Sequence, residues 1–231
     1  MSTEDQPPVL VSGGASGLGA ALVTALHDSG RPVVALDKQA PAGPTLDFRL
    51  VDVSDGAATE DAVRSLAEEH GGLTGVVTAA GIDSCGPLTE VSTSDWQRVV
   101  AVNLFGTAAV IRAAVPYLER THGRVVTVAS TLGLRAAGDA TAYCASKFGV
   151  VGFTRALAME LAGRVGVTLL VPGGMRTAFF DDRAEQYLPP DRSKLNPPEH
   201  VAAAVVSVLG QPQGCEIREL VVCHETEPSW P

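Results

Sequence analysis

The stretch that decides the fold runs Val9-Leu10-Val11-Ser12-Gly13-Gly14-Ala15-Ser16-Gly17-Leu18-Gly19. Its apolar beginning predicts a short buried strand, and a helix is predicted over residues 17–29, where Gly30 stops it. Glycines between a strand and a helix let the backbone approach a pyrophosphate, to which the helix N-terminus presents free N–H groups. The spacing is G-x-x-x-G-x-G rather than G-x-G-x-x-G, and a tight turn without a ligand is the alternative. We expect this turn to bind a nucleotide.

Short apolar runs and longer helical stretches alternate along the rest of the chain. The runs predict further strands over residues 32–36, 48–53, 75–79, 124–129, 165–171 and 217–222. Helices are predicted over residues 54–69 with Ser54 as the cap, from 93 or 94 to 120 with a bend near Gly106, and over 141–162 and 197–210. Because the strands are apolar on both faces, we expect one α/β domain over residues 1–231, with a doubly wound parallel sheet of about seven strands and helices on both faces.

Composition and charge exclude several classes of function. The 231 residues carry a formal net charge of −9, which argues against a surface for nucleic acid or for an anionic membrane. Charged residues are expected to interrupt every apolar stretch before the roughly 18 residues that a membrane span needs, and the acidic residues 1–8 do not form a signal peptide. The four cysteines and five histidines show no metal-ligand spacing. We therefore expect a cytoplasmic protein with free thiols and no metal, nucleic-acid or membrane partner.

Asp37, at the end of the second predicted strand, indicates which nucleotide would bind. It lies 18 residues beyond Gly19, near the offset of roughly 20 at which an acidic residue takes the ribose hydroxyls. A carboxylate there repels a 2′-phosphate, and Ser16 in the turn offers no basic group to hold one, so NAD is favoured over NADP. Lys38 is the counterweight, because a cation beside Asp37 would partly restore NADP binding. A solvated surface pair is the alternative for these two residues.

Tyr143 and Lys147 lie four residues apart in a predicted helix, which places them on one face. A phenol has a reference pKa of about 10, and a lysine cation beside it lowers that pKa by stabilising the phenolate. The N-terminal end of the helix acts in the same direction. A group tuned in this way suits proton transfer to or from an alcohol or carbonyl oxygen. Taken alone, the pair also fits an ordinary helix with one aromatic residue and one solvated lysine.

From about residue 9 to residue 222 the chain resembles the short-chain dehydrogenase/reductase family in its single-domain form. The family motifs appear in order: the T-G-x-x-x-G-x-G turn at residues 12–19 with Ser12 for threonine, the acidic-plus-apolar pair at Asp52-Val53, N-N-A-G at Thr78-Ala79-Ala80-Gly81, the helix asparagine at Asn103, the serine at Ser130, Y-x-x-x-K at Tyr143 and Lys147, and P-G-x-x-x-T at residues 172–177. Ser130 precedes Tyr143 by 13 residues, the family spacing. Each motif alone is weak, whereas the ordered set is specific.

The resemblance implies a Rossmann fold that transfers a hydride between NAD(H) and a secondary alcohol or ketone. It implies that Tyr143 is the acid–base group, that Lys147 lowers the pKa of Tyr143 and binds the nicotinamide ribose, and that Ser130 holds the substrate oxygen. Asn103 would contact Lys147 through water as a proton relay. The residues implied to bind the cofactor are Ser12, Gly13, Ser16, Gly17, Leu18, Gly19, Asp37, Asp52, Val53, Ala79, Ala80, Gly81, Tyr143, Lys147, Pro172, Gly173 and Thr177.

The chain departs from the family pattern at two places. Thr78 and Ala79 replace both asparagines of N-N-A-G, so Thr78 must brace the central strands in their place, or stability falls. The last strand lacks the aspartate-glycine-glycine ending common in the family, and residues 223–231 form a different C-terminal tail. Trp230 in that tail would pack across a subunit interface or belong to a frayed end.

Residues 179–196 form a long irregular segment, which predicts a substrate lid. The predicted pocket suits a ketone or alcohol with carbon bulk because it is mainly apolar; its residues are Ile82, Leu132, Leu134, Cys144, Met175, Phe179 and Phe180. Arg135 or Arg176 would bind a carboxylate or would be solvated. The alanine-rich helices over 99–117 and 143–161 resemble the faces with which the family forms dimers and tetramers, so we expect a homodimer or homotetramer.

Three other functions use the same fold. One is an NADP-dependent ketoreductase. Another is a lyase or isomerase with a retained nicotinamide, although such relatives usually carry a longer C-terminal substrate domain, for which 231 residues leave no room. The third is a non-catalytic nucleotide-binding or sensing protein, a class that typically loses the tyrosine or the lysine. Both residues are present here, at Tyr143 and Lys147.

Overall fold

A computed structural model of the chain describes residues 6–41 and 47–230; residues 1–5, 42–46 and 231 of the predicted domain and tail lie outside the described residues. The strands are β1 (Val9–Ser12), β2 (Val33–Asp37), β3 (Asp47–Leu50), β4 (Gly75–Thr78), β5 (Arg124–Val128), β6 (Gly166–Pro172) and β7 (Glu219–Val222). They form a parallel sheet in the order β3-β2-β1-β4-β5-β6-β7. The direction of winding reverses between β1 and β4, where open α/β sheets bind ligands at the carboxyl ends of the strands.

Helices cover both faces of this sheet. They are α1 (Gly17–Asp28), α2 (Gly56–Glu69), α3 (Thr93–Val100), α4 (Thr107–Thr121), α5 (Thr141–Glu160) and α6 (Pro198–Leu209). Helices α1 and α6 pack together on one face, and α2, α4 and α5 supply the core of the other face. Because both faces are buried, β1, β4 and β5 are buried along their whole length. The predicted doubly wound Rossmann fold is confirmed.

The predicted element boundaries are confirmed to within a few residues, with one wrong cap. The strand predicted over 48–53 ends at Leu50, and the one predicted over 217–222 begins at Glu219. Asp55, not Ser54, caps α2, since its Oδ1 accepts a hydrogen bond from the backbone N of Ala58 (3.1 Å). The Ser54 hydroxyl instead donates to Asp52 (2.7 Å). The Ser54 side chain is thus engaged by Asp52, outside the helix, and Asp55 takes the capping position.

The bend predicted near Gly106 is a π-helical segment, Ala101–Gly106, between α3 and α4. A side chain at Gly106 would contact Val53 at 2.9 Å, so the glycine permits close approach of this segment to the chain after β3. The hydroxyl of Thr107 donates to the backbone carbonyl of Asn103 (2.8 Å). Single π turns of this kind are frequent at functional sites.

The continuous helical stretch Thr93–Thr121 contains an apolar window with mean hydropathy 1.7, long enough by length and composition to cross a membrane. The expectation that charged residues interrupt such a stretch holds in this helix, because Arg98 and Arg112 leave no uncharged run longer than residues 99–111. In this window 56% is buried inside the fold, as in the core helix of a globular protein.

Thr78 does not brace the central strands through a hydrogen bond. Its side chain is 2% exposed, and its hydroxyl has no hydrogen-bond partner among the described residues. Burying a hydroxyl without a partner costs roughly 1–3 kcal/mol, so this position lowers stability in the way that the sequence comparison with N-N-A-G suggested.

Candidate active site

A cavity of about 1080 Å³ lies at the carboxyl edge of the sheet, over the point where the winding reverses. Fifteen of the seventeen residues implied to bind the cofactor line it, namely Gly13, Ser16, Gly17, Leu18, Asp37, Asp52, Val53, Ala79, Ala80, Gly81, Tyr143, Lys147, Pro172, Gly173 and Thr177. Ser12 and Gly19 do not. The backbone carbonyl of Ser12 instead accepts a hydrogen bond from Ala79 N (3.1 Å).

The glycine-rich turn is shaped by two close backbone approaches. Gly13 has φ 73°, and a Cβ there would meet the backbone N of Ala80 at 2.6 Å. A Cβ on Gly19 would overlap the carbonyl oxygen of Gly13. Gly19 therefore lets the first turn of α1 pack closely against the glycine-rich turn. Gly13 and Gly17 line the cavity and expose backbone without a side chain to it. Such a cradle at a helix N-terminus fits the pyrophosphate of a dinucleotide.

Asp37 stands at one end of the cavity in a fixed position. Its Oδ2 accepts a hydrogen bond from the backbone N of Ala15 (3.0 Å), and its Oδ1 accepts one from Gln39 N (3.1 Å). Lys38 also lines the cavity but is exposed. The carboxylate is thus anchored to the glycine-rich turn, while no hydrogen bond or ion pair between described residues fixes the Lys38 cation.

Asp52 and Arg98 form a charged pair at the same end. Arg98 donates to Oδ2 of Asp52 at 3.1 Å. Hydrogen bonds from the backbone and side chain of Ser54, aided by the charge of Arg98, hold the pKa of Asp52 below its ordinary value. Arg98 also lines the cavity. Sequence reasoning missed it because an arginine in an exposed amphipathic helix carries no motif.

Ser130, Tyr143 and Lys147 meet at the other end of the cavity. Lys147 is 4% exposed, and its Nζ donates to the carbonyl of Val128 (2.8 Å) and lies 5.6 Å from the centre of the Tyr143 ring. Ser130 follows β5 and accepts a hydrogen bond from Leu132 N (3.1 Å). The structure therefore brings together the three residues that the motifs separate by up to 17 positions in the chain.

The pKa values of this group correct the expectation of a tuned phenol. Burial raises the pKa of Tyr143 to about 12, against the opposing effect of a side-chain hydrogen bond with Ser130. Burial lowers the pKa of Lys147 to about 8. Desolvation disfavours the charged form of both groups, and at 5.6 Å from the ring Lys147 does not outweigh it. In the protein by itself, Tyr143 is a protonated acid at neutral pH.

Asn103 is fully buried, and its side-chain amide has protein partners. Oδ1 accepts a hydrogen bond from Ile82 N (2.8 Å), and Nδ2 donates to Ile82 O (2.9 Å) and to the hydroxyl of Ser146 (3.0 Å). The amide thus ties the chain after β4 to helix α5. The expected relay to Lys147 through water stays a prediction.

The irregular segment 179–196 folds over Tyr143. The rings of Phe179 and Tyr143 lie 5.7 Å apart. The Arg183 guanidinium packs on Phe179 (4.9 Å) and Phe180 (4.6 Å) and forms a partly buried ion pair with Asp83 (2.8 Å). Its Nε has no hydrogen-bond partner among the described residues. Sequence reasoning missed Asp83 and Arg183, because 100 residues separate them and neither belongs to a motif.

Five of the seven residues predicted for the substrate pocket line the cavity. Ile82, Leu132, Met175, Phe179 and Phe180 line the cavity. Leu134 packs instead against the core beside β5 and β6, and Cys144 is buried with its thiol toward the carbonyl of Ala137 (3.9 Å). Neither Arg135 nor Arg176 lines the cavity. Charged residues also line the cavity beyond Asp37, Lys38, Asp52 and Arg98, so the pocket is more polar than the sequence suggested; they are Asp83, Lys147, Asp182, Arg183, Asp191, Lys194 and Glu227.

The C-terminal tail closes one wall of the cavity. Thr226, Glu227, Pro228 and Ser229 line it. Glu227 Oε2 accepts a hydrogen bond from Gly174 N (2.9 Å), and the Ser229 hydroxyl lies 2.7 Å from that of Thr131. Trp230 is 37% exposed. Its expected place in a subunit interface stays a prediction.

The described residues hold no group of three or more histidine, cysteine, aspartate or glutamate side chains that would bind a metal. The four cysteines are free thiols. Burial raises the pKa of the Cys85 thiol to about 12, with a further rise from its hydrogen bond to Asp83. A thiol held protonated in this way is a weak nucleophile.

Comparison with known proteins agrees with the geometry. The family model described as short chain dehydrogenase matches residues 8–188. A D-threitol dehydrogenase from Mycolicibacterium smegmatis is 34% identical over 223 residues, which cover 87% of this chain and 85% of the relative. Two solved structures superpose with TM-scores of 0.85. The ligand-free aldohexose dehydrogenase of Thermoplasma acidophilum is 24% identical, and the match covers 96% of this chain and 94% of that one. An alcohol dehydrogenase of Thermococcus sibiricus complexed with 5-hydroxy-NADP is 23% identical, and the match covers 95% of this chain and 97% of that one.

Proposed function

Because the chain belongs to the short-chain dehydrogenase family and is therefore an oxidoreductase, we propose that it transfers a hydride between NAD(H) and a secondary alcohol or ketone. The observation that carries this proposal is the cavity itself. The bare glycine turn and Asp37 lie at one end, and Ser130, Tyr143 and Lys147 meet at the other. A dinucleotide held along the cavity would bring its reactive carbon to the hydroxyls, and it would supply or accept the hydride.

The proton chemistry falls to Tyr143. With a pKa of about 12 its phenol is protonated at neutral pH, so it is ready to donate a proton to the oxygen of a ketone as the carbinol forms. The Ser130 hydroxyl, beside Tyr143, would hold that oxygen and stabilise the charge developing on it. In the oxidation direction Tyr143 would accept the proton as phenolate, a state that the positive charge of Lys147 favours.

A hydroxylated substrate is supported by two observations. The relative named above is a D-threitol dehydrogenase, and Asp83, Arg183 and Glu227 line the substrate end of the cavity here. Absorbance at the NADH band with a panel of ketones, secondary alcohols and polyols tests the activity. If no compound reacts although the cofactor binds, the non-catalytic sensing function is favoured instead.

We propose that residues 179–196 act as the substrate lid. Phe179 packs against Tyr143, and the partly buried Asp83–Arg183 pair joins the segment to the chain after β4. Slower amide hydrogen exchange in this segment after cofactor and ketone are added would support closure, and unchanged exchange would contradict it.

Preference for NAD over NADP is proposed from Asp37. The anchored carboxylate would lie near a 2′-phosphate, and two like charges about 4 Å apart repel by 1–4 kcal/mol at surface dielectric. We expect NADH to bind at least about tenfold more tightly than NADPH, and Asp37→Asn to remove most of that difference because the amide oxygen can still accept a backbone hydrogen bond. Fluorescence titration of both cofactors measures it.

Asp28→Asn is the control for the Asp37 variant. It removes the same charge from the end of α1, outside the cavity, and should leave both dissociation constants unchanged. Tighter binding of NADPH than of NADH by the unmodified protein would favour the NADP-dependent ketoreductase, with Lys38 supplying the phosphate contact.

A homodimer or homotetramer is proposed from an exposed apolar face. Phe105 is 63% exposed beside α3, and Phe148 and Met159 on α5 are 45% and 79% exposed. We expect light scattering to give the mass of two or four chains and Phe148→Glu to shift the mass toward one chain. Leu50→Glu, at the sheet edge formed by β3, is the matched control. A mass of one chain for the unmodified protein would contradict the proposal.

We propose a cytoplasmic location. Four free cysteines suit a reducing compartment, and more than half of the apolar window in Thr93–Thr121 is buried inside the fold. Cell fractionation would test this, since recovery in the membrane fraction would contradict it.

A further inference from the structure

The C-terminal tail brings a carboxylate, that of Glu227, to the reactive half of the cavity. We propose that Glu227 is a specificity-determining residue that discriminates between the two redox forms of the nicotinamide cofactor and favours the oxidised, cationic form. The inference rests on the proposed function, because it requires that a nicotinamide dinucleotide binds in this cavity. It concerns a tail that departs from the family pattern and that none of the motifs includes.

Several contacts hold the Glu227 carboxylate in place. Oε2 accepts a hydrogen bond from the backbone N of Gly174 (2.9 Å), and Oε1 accepts hydrogen bonds from the hydroxyl (2.6 Å) and backbone N (3.2 Å) of Ser229. The Ser229 hydroxyl in turn lies 2.7 Å from Oγ1 of Thr131. The side chain is therefore oriented by backbone donors on one side and by the loop after β5 on the other.

These contacts place the carboxylate where the ring of the cofactor would lie. Gly173 and Gly174 follow β6, and Thr131 is the residue after Ser130 at the end of β5. A Cβ on Gly173 would overlap Oε2 of Glu227, so the carboxylate lies directly against this glycine. Asp37 and the glycine turn occupy the opposite end with the features of a nucleotide site. The nicotinamide must therefore lie on the side of Glu227 for a hydride to reach a substrate held by Ser130 and Tyr143.

The charge of Glu227 has no cationic side chain against it. It takes part in none of the ion pairs between the residues that the structure describes. The other cations that line this part of the cavity have partners of their own: Arg183 is paired with Asp83, Lys194 lies 3.9 Å from Asp191, and Lys147 donates to the carbonyl of Val128. The two redox forms of the cofactor differ by one positive charge on the nicotinamide ring, and an unneutralised carboxylate beside that ring attracts only the cationic form.

Gly173 lets the Glu227 carboxylate lie close to the backbone of this part of the cavity. Because glycine has no side chain, nothing separates its Cα from the carboxylate. At the edge of a partly enclosed cavity, charges a few ångströms apart interact more strongly than they do in water. We therefore expect Glu227 to change the ratio of the two dissociation constants rather than their common magnitude.

The test is calorimetric titration of NAD⁺ and NADH into the unmodified protein, Glu227→Gln and Glu225→Gln, with NADP⁺ and NADPH in parallel. Glu227→Gln should weaken binding of the oxidised form about tenfold, or ~1.4 kcal/mol, and change binding of the reduced form less than about twofold. Glu225→Gln removes the same charge from an exposed tail residue that does not line the cavity. It should leave the ratio unchanged.

Each other outcome overturns the inference. Equal weakening of both forms by Glu227→Gln would mean that the residue only supports the packing of the tail. An unchanged ratio, or the same change with Glu225→Gln, would mean that the charge at residue 227 does not act locally on the ring. Failure of the unmodified protein to bind any of the four dinucleotides would overturn the proposed function together with this inference, and is thus distinguished from failure of the inference alone.

Discussion

Tyr143→Phe should lower kcat by about a thousandfold, within the range that general acid–base catalysis contributes, while the dissociation constant for NADH changes less than about twofold. The substitution removes only the hydroxyl, so the ring still packs against Phe179 and the cavity keeps its shape. What is lost is the proton that the carbinol oxygen receives, because the phenol hydroxyl is the group proposed to donate it. Steady-state kinetics with the best compound of the ketone panel and titration with NADH measure the two effects.

Tyr117→Phe is the matched control. The Tyr117 hydroxyl contacts Glu68 at 3.1 Å on the far side of the fold, so the loss of this hydroxyl should leave kcat unchanged. If Tyr143→Phe keeps more than a few per cent of the activity, Tyr143 is not the acid–base group. If it also loses NADH binding, the hydroxyl supports the cofactor site, and the catalytic role is not separable from binding.

Gly19→Ala should lower the free energy of unfolding by about 3 kcal/mol or more, the upper end of the cost of overpacking. A Cβ at this position overlaps the backbone carbonyl oxygen of Gly13. Neither partner can yield cheaply, because both belong to the backbone of the turn that joins β1 to α1. The turn must shift, so cofactor affinity should fall together with stability. Chemical denaturation and NADH titration test the two expectations.

Gly152→Ala provides the control for that substitution. Gly152 lies within α5, and a Cβ there meets nothing within 4 Å. Alanine is favoured over glycine in a helix by about 0.5–1 kcal/mol, so this variant should be as stable as the unmodified protein or more stable. A loss of stability in Gly152→Ala as large as in Gly19→Ala would show that the effect does not come from the close contact with Gly13.

The parts of the structure that could be predicted are those fixed by local pattern. Continuous apolar runs such as residues 33–36 specify a strand buried on both faces, and the ordered motifs specify which residues meet at the sheet edge. Patterns of this kind depend on neighbours in sequence and on the rule that carboxyl ends of parallel strands form sites. The fold and the lining of the cavity therefore followed from the sequence.

The parts that could not be predicted depend on partners distant in sequence. The pKa of Tyr143 follows from how deeply the fold buries its hydroxyl, which the motif does not encode. The Asp83–Arg183 pair spans 100 residues, and the contact of Glu227 with Gly174 spans 53. Such contacts depend on the positions of loops in the folded chain. A single sequence does not show where the segment 179–196 or the C-terminal tail contacts the cavity.

The amide of Asn103 has a consequence for folding cooperativity. It bonds both backbone groups of Ile82, as a neighbouring strand would, and also holds Ser146 one residue before Lys147. The chain after β4, the π-helical segment and helix α5 therefore cannot separate without exposing the same buried amide to water. Local opening at any of the three segments should include the others. The cavity wall formed by the chain after β4 and the helix that carries Lys147 would then fold or unfold in a single step.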